Sequence, residues 1–353
     1  MAQKKKIALV VYTLQSGGLE RTVSNHSFLF RQMGFEVDLY VLDGIVEYPY
    51  SGHLFTFSLS KKLSLREKIK EYIRLRSLIR KGQYLCVLDH RYRLNSTMET
   101  IWYRYIYASQ NLVYFVHSAD ISSYITPSLA KKNIRWISVS KGLEHILKQS
   151  YPKLSVQTIY NAVKIKTERS HSFPHEFVLA VGRMDDSGVK QLDVLIDCYA
   201  QSLLPQQHIH LYIVGSGVQK ISLQEKAQQY PCRELIHFEG FQLDISNYYI
   251  QAKFLILSSK YEGLGMVLIE SLLCGSPVIS YDCPVGPSEI VSHEFNGLLV
   301  ENQNQQALIE AMNRMILDSE LYDFCKKNAA CSVEKFSMKA IAQMWRVFFN
   351  DIH

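Results

Sequence analysis

Two glutamates, Glu262 and Glu270, lie with seven residues between them in the segment YEGLGMVLIESLLCGSPVIS (261–280). An apolar strand precedes them, so we expect Glu262 in the turn at its carboxyl end and Glu270 about two helical turns later, on a helix over 266–274. Gly263 and Gly265 let the backbone approach a ligand closely, and free amides at the helix start favour negative charge. The pattern indicates a diphosphate site; the alternative is an ordinary turn and helix with an exposed glutamate at each end.

Further candidates follow other predicted strands. Arg183 ends FVLAVGR and Lys190 lies seven residues later, so two cations could neutralise a departing nucleotide diphosphate without a metal. His117 ends NLVYFVH and could hydrogen-bond a sugar hydroxyl, with His90, after YLCVLD, as the competing candidate. For each of these residues the alternative is a surface cation or a packed histidine.

Several reaction classes lack their motifs. Gly17 and Gly18 open the first predicted helix, where amides can meet a phosphate, but the spacing is not GxGxxG, which counts against a nicotinamide site. Asp185 and Asp186 lie in a polar loop beside cations, so we do not expect them to bind a metal. The sequence contains no GxSxG elbow and no HExxH helix.

The elements that must position these residues alternate strand and helix twice along the chain. The chain of 353 residues is too long for one usual core, and the alternation predicts two doubly wound parallel sheets. We expect two tandem Rossmann-like domains over 1–165 and 166–335, joined by the polar stretch KIKTERSHSFPHE, with a last helix over 336–353. Ligands of such sheets bind at the carboxyl ends of the strands, which predicts a shared ligand in a cleft between the domains.

Charge is unevenly distributed. Residues 1–165 contain 24 Lys and Arg against 11 Asp and Glu, whereas residues 166–353 contain 15 against 22. Much of the excess lies over 61–93. In its first part, KKLSLREKIKEYIRLRSLIRKG (61–82), basic residues alternate with apolar ones in a basic amphipathic helix; the apolar residues are Leu63, Leu65, Ile69, Ile73, Leu78 and Ile79. Its apolar stripe either faces the core or contacts an anionic membrane surface or anionic acceptor. No motif for nucleic-acid binding accompanies the charge.

The cysteines and the apolar runs indicate the cellular compartment. The seven cysteines are scattered without a CxxC pair, which favours a reducing compartment and argues against a zinc site. The first apolar run is interrupted early and is interpreted as a strand, and no run is long enough to span a membrane. We therefore expect a cytoplasmic protein, with possible peripheral contact at the inner face of the cell membrane.

Taken together, these motifs resemble glycosyltransferase family 4, the retaining, nucleotide-sugar-dependent enzymes of GT-B fold. The matching segments cover nearly the whole chain: SGGLER (16–21), FVH (115–117), VSKGL (139–143), YNAV (160–163), VGRM (181–184) with Lys190, VGSG (214–217), HFEGF (237–241), EGLGMVLIE (262–270), and GPSEIV with NGLLV near 286–300. The segment between Arg183 and Lys190 is shorter than usual, and Gln191 replaces a glycine expected after the lysine. GPSEI is a form associated with bacterial polysaccharide and lipid-linked oligosaccharide enzymes.

The resemblance implies a role for each matching residue. Arg183 and Lys190 would bind the donor diphosphate, Glu270 the ribose hydroxyls, and Glu262 the donor sugar. The amides of Gly263, Leu264, Gly265, Met266 and Val267 would contact sugar and phosphates. His117 would lie by the sugar, Gly18 by the phosphates or acceptor, and Gly240 and Phe241 near the base. The last helix would return to the first domain.

The resemblance therefore implies a metal-independent hexosyltransferase. It would move a hexose or N-acetylhexosamine from a nucleotide sugar, with UDP expected, to a saccharide or lipid-linked acceptor in cell-surface polysaccharide or lipopolysaccharide synthesis. Two alternatives stay open: a GT-B sugar-nucleotide epimerase, which would release free sugar, and a catalytically silent sugar-nucleotide-binding partner of a glycosyltransferase complex.

Overall fold

The computed structural model describes residues 5–15, 17–59, 63–108 and 110–352. The chain divides into unit 1, Met1–Ala162 with Ser337–His353, and unit 2, Val163–Phe336. The sequence pattern placed the two boundaries three residues later and one residue earlier than these. Each unit is built around its own parallel sheet, and each is described by itself.

Unit 1 contains a seven-stranded sheet. Its strands are β1 (Lys6–Val11), β2 (Glu36–Val41), β3 (His53–Thr56), β4 (Cys86–Asp89), β5 (Leu112–Val116), β6 (Arg135–Ser138) and β7 (Ser155–Thr158). All pairs are parallel, in the order β3-β2-β1-β4-β5-β6-β7. The residues 7–11 of β1 are at most 1% exposed, as expected for a central strand covered on both faces. The sequence pattern indicates six of these strands and not the short β3; the six segments are IALVVYT, VDLYVLD, YLCVLD, NLVYFVH, IRWISVS and VQTIY.

The helices of unit 1 connect these strands. They are α1 (Gly18–Gln32), α2 (Leu65–Lys81), α3 (Ser96–Ile101), α4 (Pro127–Ala130) and α5 (Lys141–Ser150), and a π-helical turn, Trp102–Ile106, continues α3. Ser64 starts α2 with a capping box that involves Glu67, and Ser140 caps α5. No helix in the described ranges is long and apolar enough to cross a membrane.

Unit 2 repeats the arrangement with six strands. These are β8 (Phe177–Val181), β9 (His210–Val214), β10 (Ile236–Gly240), β11 (Leu255–Leu257), β12 (Val278–Asp282) and β13 (Gly297–Glu301), in the parallel order β10-β9-β8-β11-β12-β13. The helices are α6 (Leu192–Gln201), α7 (Lys220–Ala227), α8 (Ser246–Gln251), α9 (Met266–Leu273), α10 (Pro287–Ile290), α11 (Gln305–Leu317) and α12 (Ser319–Ser332). A helix starting at Met266 agrees with the pattern, whereas β13 was not anticipated as a strand.

The last helix, α13 (Met338–Asn350), belongs to unit 1. Its Trp345 is fully buried and lies edge-on to Phe30 of α1, with ring centroids 4.9 Å apart. Phe349 stacks beside Trp345 and contacts Phe30 as well. The expected return of the last helix to the first domain therefore rests on an aromatic contact with α1.

The predicted basic helix within 61–82 is present as α2 (Leu65–Lys81), and the rest of the basic segment over 61–93 lies outside that helix. Helix α2 covers only the middle of that segment, and Lys61 and Lys62 lie outside the described residues. Arg91 and Arg93, which were counted with the basic surface, are at most 1% exposed. Arg91 pairs with Asp89 at 2.8 Å and with Glu99 at 3.0 Å. The two guanidinium groups are therefore internal, and the neighbouring carboxylates compensate the charges that burial would otherwise leave unpaired.

The apolar residues of this helix divide between the two positions that the sequence left open, the core and the outer surface. Of the apolar residues named for it, Leu65, Ile69 and Ile73 are exposed. Ile79 is fully buried, together with Leu75, which carries the inner face of α2. The helix therefore presents apolar side chains on two sides.

Candidate active site

Both sheets reverse their direction of strand order at one point, and the candidate residues follow the strands there. In unit 2 this point lies between β8 and β11, and in unit 1 between β1 and β4. Loops that leave such a point in opposite directions open a crevice at the carboxyl ends of the strands. Lys190 follows β8 and Glu262 follows β11, so the two residues flank the crevice of unit 2.

Lys190 and Glu262 form a short ion pair. Lys190 Nζ donates to Glu262 Oε1 at 2.6 Å, with the side chains 23% and 12% exposed. Ser258, buried just after β11, holds this loop by donating to the carbonyl oxygen of Lys190 at 2.8 Å. An ammonium group has three donors. One is therefore occupied by Glu262, and the other two can reach ligand oxygens.

Gln191, directly after Lys190, adopts φ 46° and ψ 42°, the left-handed conformation that favours glycine. It is the residue that precedes the first turn of α6. The glycine expected after the lysine thus has a structural reason, because the chain must turn there. Gln191 keeps that conformation despite its side chain, so the turn before α6 forms without a glycine.

Arg183 is more exposed than Lys190, with 57% of its side chain accessible to solvent against 23%. Its Nε lies 3.3 Å from Asp185 Oδ2, and the same carboxylate accepts from the hydroxyl of Ser187. Asp185 is therefore engaged within its own loop. Within the described residues no group of three or more His, Cys, Asp or Glu could hold a metal ion.

Helix α9 begins without a side-chain cap. Gly265 is its N-cap, with φ 92°, and it supplies no side-chain hydrogen bond. Met266 and Val267 are the first two helical residues, and backbone amides of a first turn have no partner within the helix. A Cβ on Gly286 would lie 2.5 Å from the carbonyl oxygen of Leu264, so the next loop packs directly on this turn. The helix start can receive an anion close to the backbone.

Glu270 is the fifth residue of α9 and is 2% exposed. Tyr249 of α8, itself fully buried, donates to Glu270 Oε2 at 2.7 Å. The tyrosine fixes the direction of the carboxylate, which lies on the same helix that starts beside Glu262. The structure thus brings Lys190, Glu262 and the start of α9 together, while Glu270 lies in the second turn.

The ends of β8, β9 and β10 are joined through glycine backbone. Gly215 N donates to the carbonyl oxygen of Gly240 at 2.8 Å, and Gly182 N donates to that of Val214 at 3.0 Å. A Cβ on Gly215 would lie 1.9 Å from the carbonyl oxygen of Gly182. Gly240 has φ 71° and open space around it, and Phe241 follows half-buried. Glycine backbone therefore lines this edge of unit 2.

Unit 1 places its candidates at the carboxyl ends of β1, β4 and β5. Gly18 is the first residue of α1, and Gly17 precedes it as a cap without a side chain. His117, after β5, and His90, after β4, are not competing candidates in the structure, because His90 Nδ1 lies 3.0 Å from His117 Nε2. Burial lowers the pKa of both imidazoles well below the ordinary range, so both are neutral near pH 7.

Sequence reasoning missed the residues that hold these groups in place. Tyr249 and Ser258 carry no motif, and their roles follow only from contacts across the fold. Cys283 lies near Glu262 and Lys190, and burial raises its pKa to about 12, with the charge of Glu262 adding to the effect. The thiol is therefore protonated at neutral pH and is not a nucleophile.

Known proteins share both the sequence pattern of unit 2 and the fold of the chain. Residues 164–331 match the family model of glycosyl transferases group 1. An N-acetylgalactosamine-N,N'-diacetylbacillosaminyl-diphospho-undecaprenol 4-alpha-N-acetylgalactosaminyltransferase from Campylobacter jejuni is 25% identical, with 96% of this chain and 98% of that protein covered. The amylovoran biosynthesis glycosyltransferase AmsD from Erwinia amylovora is 24% identical, with coverages of 98% and 99%.

Solved structures show the same fold. The crystal structure of Anabaena HepE in complex with UDP and glucose covers 98% of this chain and 100% of its own, with a TM-score of 0.77 and 19% identity. This likeness confirms the predicted GT-B fold class with its two Rossmann-like sheets. With a group 1 domain over 164–331 and relatives of the same class along its whole length, the chain is a glycosyltransferase of GT-B fold.

Proposed function

We propose that this glycosyltransferase moves a hexose or N-acetylhexosamine from a UDP sugar to a saccharide or lipid-linked saccharide, with retention of configuration, in cell-surface polysaccharide or lipopolysaccharide synthesis. The observation that carries the proposal is the Lys190–Glu262 pair, which lies at the switch point of unit 2 beside the uncapped start of α9. A cation and helix-start amides directed at one place suit a diphosphate.

The comparisons support the donor and the acceptor class. HepE was solved with UDP and glucose, and the Campylobacter relative is named for transfer to a diphospho-undecaprenol-linked saccharide. AmsD is named for the synthesis of amylovoran. These are statements about those proteins, and their agreement favours a UDP sugar and a polysaccharide or lipid-linked acceptor for this chain.

In the proposed mechanism the acceptor hydroxyl attacks the anomeric carbon from the face that the nucleotide leaves. The bond to the diphosphate breaks, the new glycosidic bond forms on the same face, and the departing phosphate takes the acceptor proton. Arg183 and Lys190 stabilise the negative charge on the diphosphate, as positioned donors do in a transition state. Glu262 holds Lys190 in place and contacts the donor sugar, Tyr249 directs Glu270 toward the ribose, and the amides of 263–267 contact the phosphates.

The proposal assigns further contacts to the rest of the candidate set. Gly240 and Phe241 lie near the base, His117 contacts the sugar as a neutral imidazole, and Gly18 lies by the phosphates or acceptor. Unit 1 binds the acceptor and unit 2 the nucleotide sugar. No metal is required, because Arg183 and Lys190 supply the positive charge.

The first experiment measures the melting temperature of the purified protein with UDP-, GDP-, ADP- and TDP-sugars, with and without EDTA. A ligand at about a hundred times its Kd stabilises by about 2.7 kcal/mol. We expect a selective shift with UDP sugars that EDTA does not change. Loss of the shift in EDTA would contradict metal independence, and a shift with another nucleotide alone would contradict the UDP assignment.

Turnover separates the proposal from its two alternatives. A transferase forms a product only with acceptor, an epimerase releases free sugar without one, and a silent partner does neither. The anomeric configuration of the product, measured by NMR, tests retention.

Arg183→Ala should lower kcat by about a hundredfold or more, since one lost transition-state donor has that effect in other enzymes. Arg233→Ala is a matched control, because Arg233 is an exposed arginine of the same unit and pairs with its neighbour Glu234. Full activity in Arg183→Ala would remove Arg183 from the mechanism.

A further inference from the structure

The side chain of His90, directly after β4, is held in place on two sides. Its backbone N–H donates to the carbonyl oxygen of Val10 at 3.0 Å, which continues the pairing of β4 with β1. The imidazole stacks on Phe115 of β5, with ring centroids 3.9 Å apart and an interplanar angle of 22°. His90 is also fully buried. Close packing therefore keeps this ring in one orientation.

His90 and His117 share one hydrogen bond. Nδ1 of His90 lies 3.0 Å from Nε2 of His117, and the ring centroids are 5.1 Å apart. Burial lowers the pKa of both imidazoles well below the ordinary range. Each ring is therefore neutral near pH 7 and has one N–H and one bare nitrogen. One ring donates to the other, so the proton positions of the two rings are linked.

Two arrangements of the protons satisfy this hydrogen bond. In the first, His90 donates from Nδ1, and His117 accepts at Nε2 and carries its own proton on Nδ1. In the second, His117 donates from Nε2, the proton of His90 lies on Nε2, and Nδ1 of His117 is bare. The hydrogen-bond network decides between them. The first leaves His117 with an N–H for a ligand, and the second leaves it with a lone pair.

The surroundings of His90 favour the first arrangement. Its Nε2 is buried and has no hydrogen-bond partner among the described residues. The ring of His26 lies beside it, at a centroid distance of 5.6 Å, and supplies no hydrogen bond. Among buried groups, a donor without an acceptor is rarer than an acceptor without a donor. The proton of His90 therefore lies on Nδ1, where Nε2 of His117 accepts it.

The backbone that carries His117 is held by the same loop after β4. Arg93, three residues after His90, donates from Nη2 to the carbonyl oxygen of Phe115. It also donates from Nε to the carbonyl oxygen of Tyr124 at 2.8 Å. Arg93 is fully buried, so these bonds are shielded from water. One loop thus fixes both the end of β5 and the ring that follows it.

We propose that His90 is a positioning residue for sugar transfer: it holds His117 as the tautomer with the proton on Nδ1, and this N–H donates to an oxygen of the donor sugar. Because His90 occupies Nε2, Nδ1 is the nitrogen of His117 that is left for a ligand. His117 is half-buried, whereas His90 is enclosed. The contact with the sugar rests on the function proposed above, but the tautomer does not.

The tautomer is measured by NMR of the full chain with nitrogen-labelled histidine, because protonated and bare ring nitrogens have well-separated chemical shifts. His117→Gln identifies the signals of His117 by their loss. We expect the proton on Nδ1 in both His90 and His117. In His90→Leu the ring of His117 is free to turn, so its two nitrogens should show averaged shifts. His90→Asn should restore the Nδ1 proton, because an amide nitrogen can replace the lost donor.

Transfer rates measure the consequence for the sugar. The donor is the UDP sugar that raises the melting temperature. His90→Leu should lower kcat/KM for it by about tenfold, the order expected for one lost hydrogen bond. The Kd of UDP should stay the same, because the proposed contact of His117 is with the sugar alone. His90→Asn should recover most of the transfer activity, which a residue needed only for packing would not show.

Unit 2 offers a matched control pair of histidines. Nδ1 of His210, the first residue of β9, lies 2.7 Å from Nε2 of His237. This pair lies at the amino ends of the strands, at the edge opposite the candidate site. His210→Leu therefore removes the same kind of contact from a buried position. It should change neither the chemical shifts of His117 nor the transfer rate.

The outcomes separate this proposal from the proposed function. A proton on Nε2 of His117 in the unchanged protein, or full transfer by His90→Leu, would overturn the role of His90 and leave the transfer reaction intact. Equal losses of transfer in His90→Leu and His210→Leu would overturn it as well. Absence of transfer by the unchanged protein would instead contradict the proposed function, and the chemical shifts would still decide the tautomer.

Discussion

Lys190 combines two tasks, a partnership with Glu262 and the proposed contact with the donor phosphate. The 2.6 Å pair is largely shielded from water, so either charge alone would be poorly solvated. The pair therefore keeps a cation at the switch point, but each of the two residues needs the other to compensate its charge. A measurement of stability tests the partnership with Glu262, and a measurement of transfer activity tests the proposed phosphate contact.

Lys190→Ala should destabilise the fold by about 1–2 kcal/mol, because it leaves the Glu262 carboxylate without its partner. Lys190→Ala with Glu262→Gln should recover most of that stability, since the uncompensated charge is gone. Transfer activity should stay low in both variants. Urea denaturation and initial rates measure the two effects, and recovery of activity in the double variant would show that Lys190 is only structural.

His26 lies beside His90, with ring centroids 5.6 Å apart, and Phe30, Phe115 and Trp345 surround it. Neither of its ring nitrogens has a hydrogen-bond partner among the described residues, and burial lowers its pKa to about 3. The native state therefore does not take up the proton that an unfolded histidine binds near its ordinary pKa of about 6.5. The protonation of this imidazole favours unfolding.

The free energy of unfolding should accordingly be constant above about pH 7 for this group and fall as pH decreases from about 6.5 toward 3, by up to about 1.4 kcal/mol per pH unit. His26→Phe should reduce that slope by the share of one histidine. Urea midpoints from pH 5 to 8 measure it. An unchanged slope in His26→Phe would show that His26 is not the titrating group.

At the scale of single elements, the connection from β8 to α6 contains a residue whose backbone conformation is unfavourable for its type and is kept by tertiary contacts. Gln191 sits in the left-handed region, and its side-chain Oε1 has no hydrogen-bond partner. A non-glycine residue there costs about 1 kcal/mol or more. Ser258 and the pair of Lys190 with Glu262 hold the flanking chain, so the conformation persists.

Gln191→Gly should be tolerated and change stability by no more than about 1 kcal/mol, because relief of the left-handed strain offsets the flexibility that glycine gives the unfolded chain. Gln191→Val should destabilise by clearly more, since a β-branched residue fits this region worst. Thermal unfolding of the two variants measures the difference in their stability. Equal stability of both would mean that the left-handed conformation is not maintained.

The same elements show how far sequence alone reaches. The strand and helix alternation, the start of α9 and the placement of Glu262 in the preceding turn all follow from local patterns. The side of α2 that faces the core does not follow from local patterns. Leu65, Ile69 and Ile73 have helical spacing whether that side is buried or exposed. Burial is decided by the neighbours Trp102 and Thr56, which are distant in sequence.

Charged residues show the same limit. Arg91 and Arg93 read as part of a basic surface until Asp89, Glu99 and the carbonyl oxygen of Tyr124 are seen around them. The Lys190–Glu262 contact joins residues 72 positions apart, and no spacing rule predicts it. The candidate residues could be named from strand ends, whereas their partners required the fold.

At the scale of the whole molecule, the chain leaves unit 1 after Ala162, builds all of unit 2, and returns at Ser337. Trp345 fills unit 1 from this last segment, against Phe30 and His26. The stability of unit 1 thus depends on residues that follow unit 2 in sequence.

Trp345→Ala should destabilise unit 1 by about 3–5 kcal/mol, the usual cost of truncating a buried tryptophan. Hydrogen exchange should speed up at the amides of α1 and β1 and stay unchanged at those of β8 and β9. Arg346→Ala, at an exposed position on α13, is the control and should change neither unit. Equal acceleration in both units would show that the two sheets do not unfold independently.

The position of α13 also has a consequence for the nascent chain. On the ribosome, the first seven strands emerge long before Trp345, and all of Val163–Phe336 is translated in between. At about 5–20 residues per second this interval lasts on the order of ten seconds or more. During that time the aromatic surface of Phe30 on α1 is uncovered, so chaperones that recognise apolar segments have a defined target until translation ends.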